Sequence, residues 1–209
     1  MSKPVIHHTY TVKGNYTASL RVTDSEETIS GVATAVLGVV EKRDADVTNV
    51  EPLKTVVGQT YTCQINVTVA NRGNYTENFN VTAYANTTSI ASQIITLTSG
   101  NYTTITFTWN TTGFAKGNYT VWAFAEPVPG EIDIEDNVLY SDVEVCVTIP
   151  GDVDADFDVD LYDAVKLLVC YGTEEGGSDY DSFCDIDGDG DIDLYDAVTL
   201  LTHYGEKYP

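Results

Sequence analysis

Between residues 152 and 196 the chain carries two acidic ladders, DVDADFDVDLYD (152–163) and DIDGDGDIDLYD (185–196). Carboxylates stand at positions 1, 3, 5, 7, 9 and 12 of each: Asp152, Asp154, Asp156, Asp158, Asp160 and Asp163, then Asp185, Asp187, Asp189, Asp191, Asp193 and Asp196. Six carboxylates so close together repel strongly unless a cation sits among them. Only oxygen is offered, with no thiolate or imidazole in the ring, so the fit is to a hard ion such as calcium, with its about six to eight oxygen ligands, and not to zinc. In a twelve-residue calcium loop, positions 1, 3 and 5 give side-chain oxygens and position 7 gives its backbone carbonyl. Position 9 binds directly or through water, and position 12 closes the shell from the first turn of a helix. Two such loops imply two calcium ions.

The elements that must position these acids are visible beside them. Each ladder runs into a helix-like stretch, AVKLLVCYG (164–172) and AVTLLTHYG (197–205), and every residue of the first copy lies 33 before its counterpart. From Asp152/Asp185 to Gly172/Gly205, 14 of the 21 pairs are identical, which is an internal duplication. A solvated acidic tail is the alternative for a run of like charge, but a tail has no reason to join a period-two aspartate pattern twice to an amphipathic stretch. The loops are unequal. Gly190 fills the sixth position of the second loop, where the chain turns sharply, and Phe157 fills it in the first. A bulky residue at positive φ costs about 1–2 kcal/mol, so the first loop is expected to bind more weakly or to turn differently.

Two EF-hand-type loops, each followed by one helix, with no helix before the first and a linker TEEGGSDYDSF (173–183) between them, resemble a type I dockerin over residues 151–205. The resemblance implies a non-catalytic module that docks onto a cohesin, with a duplication that permits two orientations. It also assigns the partner contact to loop positions ten and eleven. These are Leu161-Tyr162 and Leu194-Tyr195 here, where the best-known members often carry Ser-Thr, so the implied partner surface is more apolar.

The chain is 209 residues long with a net charge of −22, and residues 151–209 alone hold 17 acids against 2 Lys/Arg, leaving −7 for the first 150. Such a balance argues against nucleic acid or an anionic membrane surface as partner. No run of about 20 apolar residues is present to span a membrane. The opening MSKPVIHHTY lacks the apolar core of a signal peptide, so for an extracellular protein a fragment or processed product is expected.

An extracellular location is indicated by the asparagines and cysteines. Eight of the twelve asparagines lie in N-x-[ST] sequons: Asn15, Asn66, Asn74, Asn80, Asn86, Asn101, Asn110 and Asn118, all before residue 120. They predict N-linked glycans on a β region. Four cysteines without a CxxC fit two disulfides in an oxidising setting. Cys170 and Cys184 replace His203 and Gly151 of the duplicated copy, both beside the linker, which points to a bond between the end of the first helix and the start of the second loop. Cys63 and Cys146 then pair by elimination. Alternation puts Cys63 with Tyr61, Ile65 and Val67 but Cys146 out of phase with Val143, Val145 and Val147, so that pair needs a bulge.

Residues 46–149 alternate as strands: YTCQINVTVAN (61–71), FNVTAYA (79–85) and ITFTW (105–109), with further strands near 46–51, 88–97, 117–126 and 138–149. Turns are expected at 71–74, 99–101, 113–118 and 127–130. Seven short strands at this spacing predict a two-sheet sandwich, with Trp109, Trp122 and Phe124 in its core or rim and not on a sugar. DVTNVEP (46–52), NVTVANRGNYT (66–76) and PGEIDIEDN (129–137) resemble the CARDB family of immunoglobulin-like adhesion modules. Under that resemblance Glu131, Asp133, Glu135 and Asp136 form a turn into the last strand, not a third calcium site. HHTYTVKGNYTASLRVTDSEETISG (7–31) resembles the C-terminal half of a PKD domain, with strands near 5–12, 16–23 and 30–41 and with His7 and His8 as plain hairpin residues. Half a sandwich leaves an apolar face and edges to be covered by lost upstream sequence or by another copy.

The expected fold class is therefore mainly β: a partial PKD-like domain (1–45), an immunoglobulin-like sandwich (46–149) and a small α-helical domain of paired EF-hand loops (150–209). No phosphate loop, nucleophile elbow or HExxH is present, and no glycosidase carboxylate pair stands out from the structural acids, so no catalytic role is expected. Two functions fit: a calcium-folded module that docks a glycosylated stalk onto a cohesin-type surface protein, or a subunit of a surface layer or fibre self-associating through the incomplete β domain.

Overall fold

The computed structural model describes residues 13–209 together with His8 and Tyr10. The chain divides after Lys42 into two compact units. In the first, β1 (Gly14–Leu20) pairs antiparallel with β2 (Ala33–Val39), Gly14 opposite Val39 and Leu20 opposite Ala33. The connection is pinned by Asp24, whose Oδ1 accepts from the amides of Glu26 and Thr28 at 2.9 Å, a local bond that aspartate offers in turns. Leu20, Val36 and Leu37 are left exposed. The strand expected at 5–12, including His7, lies outside the described residues; His8 sets its ring edge-on to Tyr10.

The second unit holds the sandwich. All seven expected strands form: β3 (Ala45–Pro52), then, after the short β4 (Val56–Gly58), β5 (Thr62–Asn71), β6 (Glu77–Ala85), β7 (Thr88–Leu97), β8 (Tyr102–Asn110), β9 (Gly117–Ala125) and β10 (Val138–Thr148). The sheets run β3-β5-β8 and β4-β10-β9-β6-β7. Alternation fills the space between them. β5 and β8 send in Cys63, Ile65, Val67, Val69, Ile105, Phe107 and Trp109, while β6 and β9 answer largely with alanines and valines, Val81, Ala83, Ala85, Val121, Ala123 and Ala125. Bulky side chains opposite small ones give the interdigitation that close packing requires. Trp109 lies edge-on to Phe114 and Tyr119, at 5.1 and 5.4 Å between centroids. Trp122 instead stands on the outer face, stacked between Tyr84 and Tyr140. Strand β4 was not expected from sequence. Its three residues are too short to show a period, and it exists because it pairs in parallel with β10.

The first turn, 71–74, is held by Asn71, which is fully buried and fully paired: Nδ2 donates to the Tyr75 and Leu97 carbonyls and Oδ1 accepts from Gly73. At the same end of the sheet, where Ala45 lies opposite Asn71, Glu131 braces the turn into β10. Its Oε1 accepts from the Ala45 amide and its Oε2 from that of Val128, both at 2.7 Å, which is a structural use of the acid.

Neighbouring Asp136 is under more stress. Burial, and after it Asp44, Asp46 and Asp133, pushes its carboxyl up to about 6, and its Oδ1 is buried without a hydrogen-bond partner. A carboxyl that holds its proton more tightly folded than unfolded makes the folded state the better proton binder between about pH 4 and 6, so stability falls as pH rises through that window. Asp136→Asn is expected to raise the melting temperature of the full chain near pH 7.5 and to leave it almost unchanged near pH 4. Equal shifts at both values, in thermal unfolding followed by circular dichroism, would refute the assignment.

The C-terminal module packs in the same unit through its own core, Ile149, Val153, Val159, Leu167, Cys170, Cys184, Ile186, Ile192 and Leu200, to which the sandwich adds Tyr61. Its helices are α1 (Leu161–Cys170) and α2 (Leu194–His203). The approach is close: a Cβ on Gly151 would stand 2.7 Å from the Leu200 Cα. No helix among the described residues is long and apolar enough to cross a membrane.

Candidate metal centre

The two aspartate ladders fold as near-copies. Asp160 and Asp193 cap their helices, accepting from the amides of Tyr162 and Tyr195 at 2.7 and 2.6 Å. Asp163 and Asp196, three residues on, reach back to the Asp160 and Asp193 amides, both at 2.8 Å. This reciprocal capping fixes position 12 of each loop over the ring. The other oxygen of Asp163 accepts from Val153 N at 2.8 Å, that of Asp196 from Ile186 N at 2.6 Å. At position 1, Asp152 accepts from Ala155 N (2.7 Å) and Phe157 N (2.9 Å), and Asp185 accepts from Gly188 N (2.7 Å) and Gly190 N (3.3 Å).

The chain needs positive φ at positions 4 and 6 to aim these amides inward. Gly188 (φ 81°) and Gly190 (φ 96°) adopt it freely, while Ala155 (65°) and Phe157 (69°) are forced into it. The first loop therefore turns as the second does. Phe157 is held by its own amide bond to Asp152, by its carbonyl, which accepts from Tyr208 N at 2.8 Å, and by its ring against Tyr208.

These bonds gather the carboxylates. Oxygens of Asp152, Asp154 and Asp163 lie within 4.8 Å of one another, as do those of Asp158, Asp160 and Asp163, and in the second loop those of Asp185, Asp187 and Asp196. Asp156 and Asp189 each accept from the amide two residues on, at 3.0 and 3.1 Å. At position 7 the loops share a telling detail: Oδ1 of Asp158 and Oδ1 of Asp191 are both buried without a hydrogen-bond partner. Burial, with neighbouring carboxylates next, pushes Asp154, Asp187 and Asp191 up; burial likewise pushes up Asp152 and Asp196. Orphaned, crowded, desolvated carboxylates call for a cation, and an all-oxygen donor set suits a hard one.

Each loop is closed by the chain that follows the other helix. Residues after α1 pair with the second loop, Gly172 N to Ile192 O, Ile192 N to Thr173 O and Glu175 N to Gly190 O, at 2.7, 2.9 and 2.7 Å. Residues after α2 pair with the first in the same way, Gly205 N to Val159 O, Val159 N to Glu206 O and Tyr208 N to Phe157 O. Lys207 thereby reaches Asp158, where its duplicate Glu174 faces Asp191. The two halves are thus interlocked.

Several contacts of the C-terminal module carry no motif in the sequence: Lys54 and Tyr61 come from distant segments, Thr148 and Tyr180 from four and five residues before the acid they meet. Thr148 of β10 donates to Asp152, Lys54 pairs with Asp185, and Tyr180 donates to Asp185 Oδ2 at 2.7 Å. Tyr61 bonds Thr199 of α2 at 3.3 Å. Lys207 could have been noticed as the one reversal of charge in the residues that follow the repeat.

Leu161, Tyr162, Leu194 and Tyr195 are all exposed, at the outer N-terminal ends of the helices. Between the helices runs an apolar groove of about 270 Å³ lined by Leu167, Leu168, Tyr171, Leu200 and Leu201. Of the sequon asparagines, Asn15, Asn74, Asn86, Asn101, Asn110 and Asn118 are exposed and Asn66 and Asn80 half-buried on strand faces.

All four cysteines are free thiols. Cys170 and Cys184 come together, Sγ to Sγ 3.4 Å, with Asp181 beside them. Cys63 and Cys146 do not pair, which corrects the expectation. A bulge does occur in β10, between Tyr140 and Glu144, but it lies before Cys146 and leaves its phase unchanged. Val145 and Val147 join the sandwich core with Cys63, and Cys146 faces the other way. Burial pushes both thiols up to about 11, which keeps them protonated and unreactive.

Comparison with known proteins bears on the sandwich. The CARDB family model matches residues 42–133, ending before β10, which sits inside the larger sheet. No curated protein matches the chain. Among solved structures, similarity is found to the CARDB domain of the PF1109 protein from Pyrococcus furiosus, in complex with di-metal ions, at 24% identity over 53% of this chain and 98% of that one, TM-score 0.44. A domain of a putative cell surface protein from Methanosarcina acetivorans matches at 25% identity over 49% and 90%, TM-score 0.37. A β-glucosidase from Erythrobacter marinus matches at 13% over 50% and 15%, TM-score 0.41. Residues 42–133 of this mainly β chain thus carry a CARDB domain.

Proposed function

We propose that this chain is a non-catalytic, extracellular surface glycoprotein whose dockerin-like C-terminal module folds around two calcium ions and docks onto a cohesin-type protein. The observation that carries the reading is the twin carboxylate clusters, Asp152, Asp154 and Asp163 with Asp185, Asp187 and Asp196, built by matching hydrogen bonds at matching positions. Asp156, Asp158, Asp160, Asp189, Asp191 and Asp193 complete the two donor sets. Calcium supplies the positive charge that these acids lack and fixes the helix N-termini relative to one another. The helices then present Leu161, Tyr162, Leu194 and Tyr195 outward, beside the apolar groove, as the docking face. A Cys170–Cys184 disulfide would tie the end of α1 to the second loop, and glycans on the eight sequons would coat the β region.

Calorimetry on the full chain is expected to find two calcium ions bound. A Leu161→Asp/Leu194→Asp double variant is expected to keep both while losing a cohesin-domain probe. No calcium uptake refutes the metal reading; undiminished cohesin binding by the variant refutes the assigned face. A second reading, a self-assembling surface-layer or fibre subunit, is favoured by the exposed Leu20, Val36 and Leu37 of the first unit. Ordered polymers of purified chain in calcium, seen by sedimentation, would select it.

A further inference from the structure

We propose that Lys54, which belongs to the sandwich, is a resident countercharge of the second loop that lowers the calcium affinity of that loop and couples it to the sandwich. The inference rests on the calcium reading and goes beyond it. Lys54 lies in the connection between β3 and β4; its ammonium stands 3.6 Å from Asp185 Oδ2 and also donates to the Asp185 carbonyl. Both side chains are withdrawn from water, 13% exposed for Lys54 and 3% for Asp185. By contrast Lys207, the cation on the first loop, is 71% exposed, so salt and water answer most of its charge. At position 1 of the first loop the sandwich supplies a neutral group instead, the Thr148 hydroxyl on Asp152. The sandwich therefore touches both loops at the same carboxylate, with a charge in one and a dipole in the other.

A fixed, poorly screened positive charge next to a ligand carboxylate acts oppositely on the two states of the loop. Without an ion it neutralises one of six crowded acids and steadies the loop. With a divalent cation on the same carboxylate it repels that cation. Lys54 is thus a positioning residue that acts through Asp185.

The test is a calcium titration of the full, nitrogen-15-labelled chain, unsubstituted and as Lys54→Gln and Lys54→Arg. Gln keeps a donor to the Asp185 carbonyl and removes the charge; Arg keeps the charge. The Gly188 and Gly190 amides report the second loop, and those of Ala155 and Phe157 the first. Lys54→Gln is expected to tighten the second loop about tenfold, the size of one like-charge repulsion at short range, with the first loop unmoved and Lys54→Arg close to the unsubstituted chain. An unchanged or weakened second loop in Lys54→Gln, or equal tightening of both loops, overturns the proposal. Failure of the calcium reading looks different: neither set of amides moves in the unsubstituted chain, and both inferences fall.

Discussion

Titrated with EGTA, the full chain should lose the helical signal of α1 and α2 and become cleavable between residues 151 and 209, while the β signal of the sandwich persists. The expectation follows from charge. The module carries 17 acids against 2 Lys/Arg, and its core is a small set of side chains led by Ile149, Val153, Leu167, Ile192 and Leu200. Each site loaded at a thousand times its dissociation constant adds about 4 kcal/mol of stability, so two sites give about 8 kcal/mol, comparable to the whole stability of a small domain. Without it, Asp152, Asp163, Asp185 and Asp196, all nearly fully buried, must be protonated or exposed to water. The sandwich should survive, because its core is built from β3 to β10 and takes nothing from the helices. Helices that persist in excess chelator, in a protease-resistant 151–209, would end the calcium account.

Trp109→Ala should destabilise the sandwich by about 3–5 kcal/mol, the usual result of removing a large buried aromatic and leaving a cavity. Trp109 is 1% exposed, and its ring edges meet Phe114 and Tyr119, which also meet each other. Phe114 and Tyr119 both lose a partner at once, and the alanine-lined opposite sheet has little to move into the gap. Trp122→Ala offers the contrast. That ring is stacked on the outer face and its Nε1 donates to the Asn86 carbonyl at 2.7 Å, so the expected loss is about 1 kcal/mol. Urea unfolding followed by fluorescence of the tryptophan that remains would rank the two; a reversed order would mean the core has been misplaced.

The sequence announces most of this architecture wherever a pattern is local. The aspartate spacing, the alternating strands and the Asn71 turn are all set within a few residues, and each appears where its period puts it, whereas the helices begin at Leu161 and Leu194, three residues before the stretches that read as helix. Trp109 and Trp122 look equivalent in sequence, each in an alternating strand, yet one fills the core and the other an outer stack, because the choice depends on which sheet lies opposite. Strand β4 owes its existence to β10, 90 positions away in register at Val56 and Cys146. The Cys63–Cys146 expectation failed for a related reason: elimination assumes every cysteine has a partner, whereas the phase of β10 after its bulge puts them on different faces. Lys54 and Tyr61 meet the C-terminal module only through the packing of the sandwich against it, across 131 and 138 positions of chain, a contact no repeat encodes.

The crossed closure of the loops sets an order on biosynthesis. Asp158 in the first loop meets Lys207 across 49 positions of chain, while the second loop is closed by residues 172–175, made before it. As the polypeptide emerges, the second loop has all its backbone partners as soon as it is synthesised, and the first stays open until residues 205–208 follow. The half made earlier is therefore the half completed last.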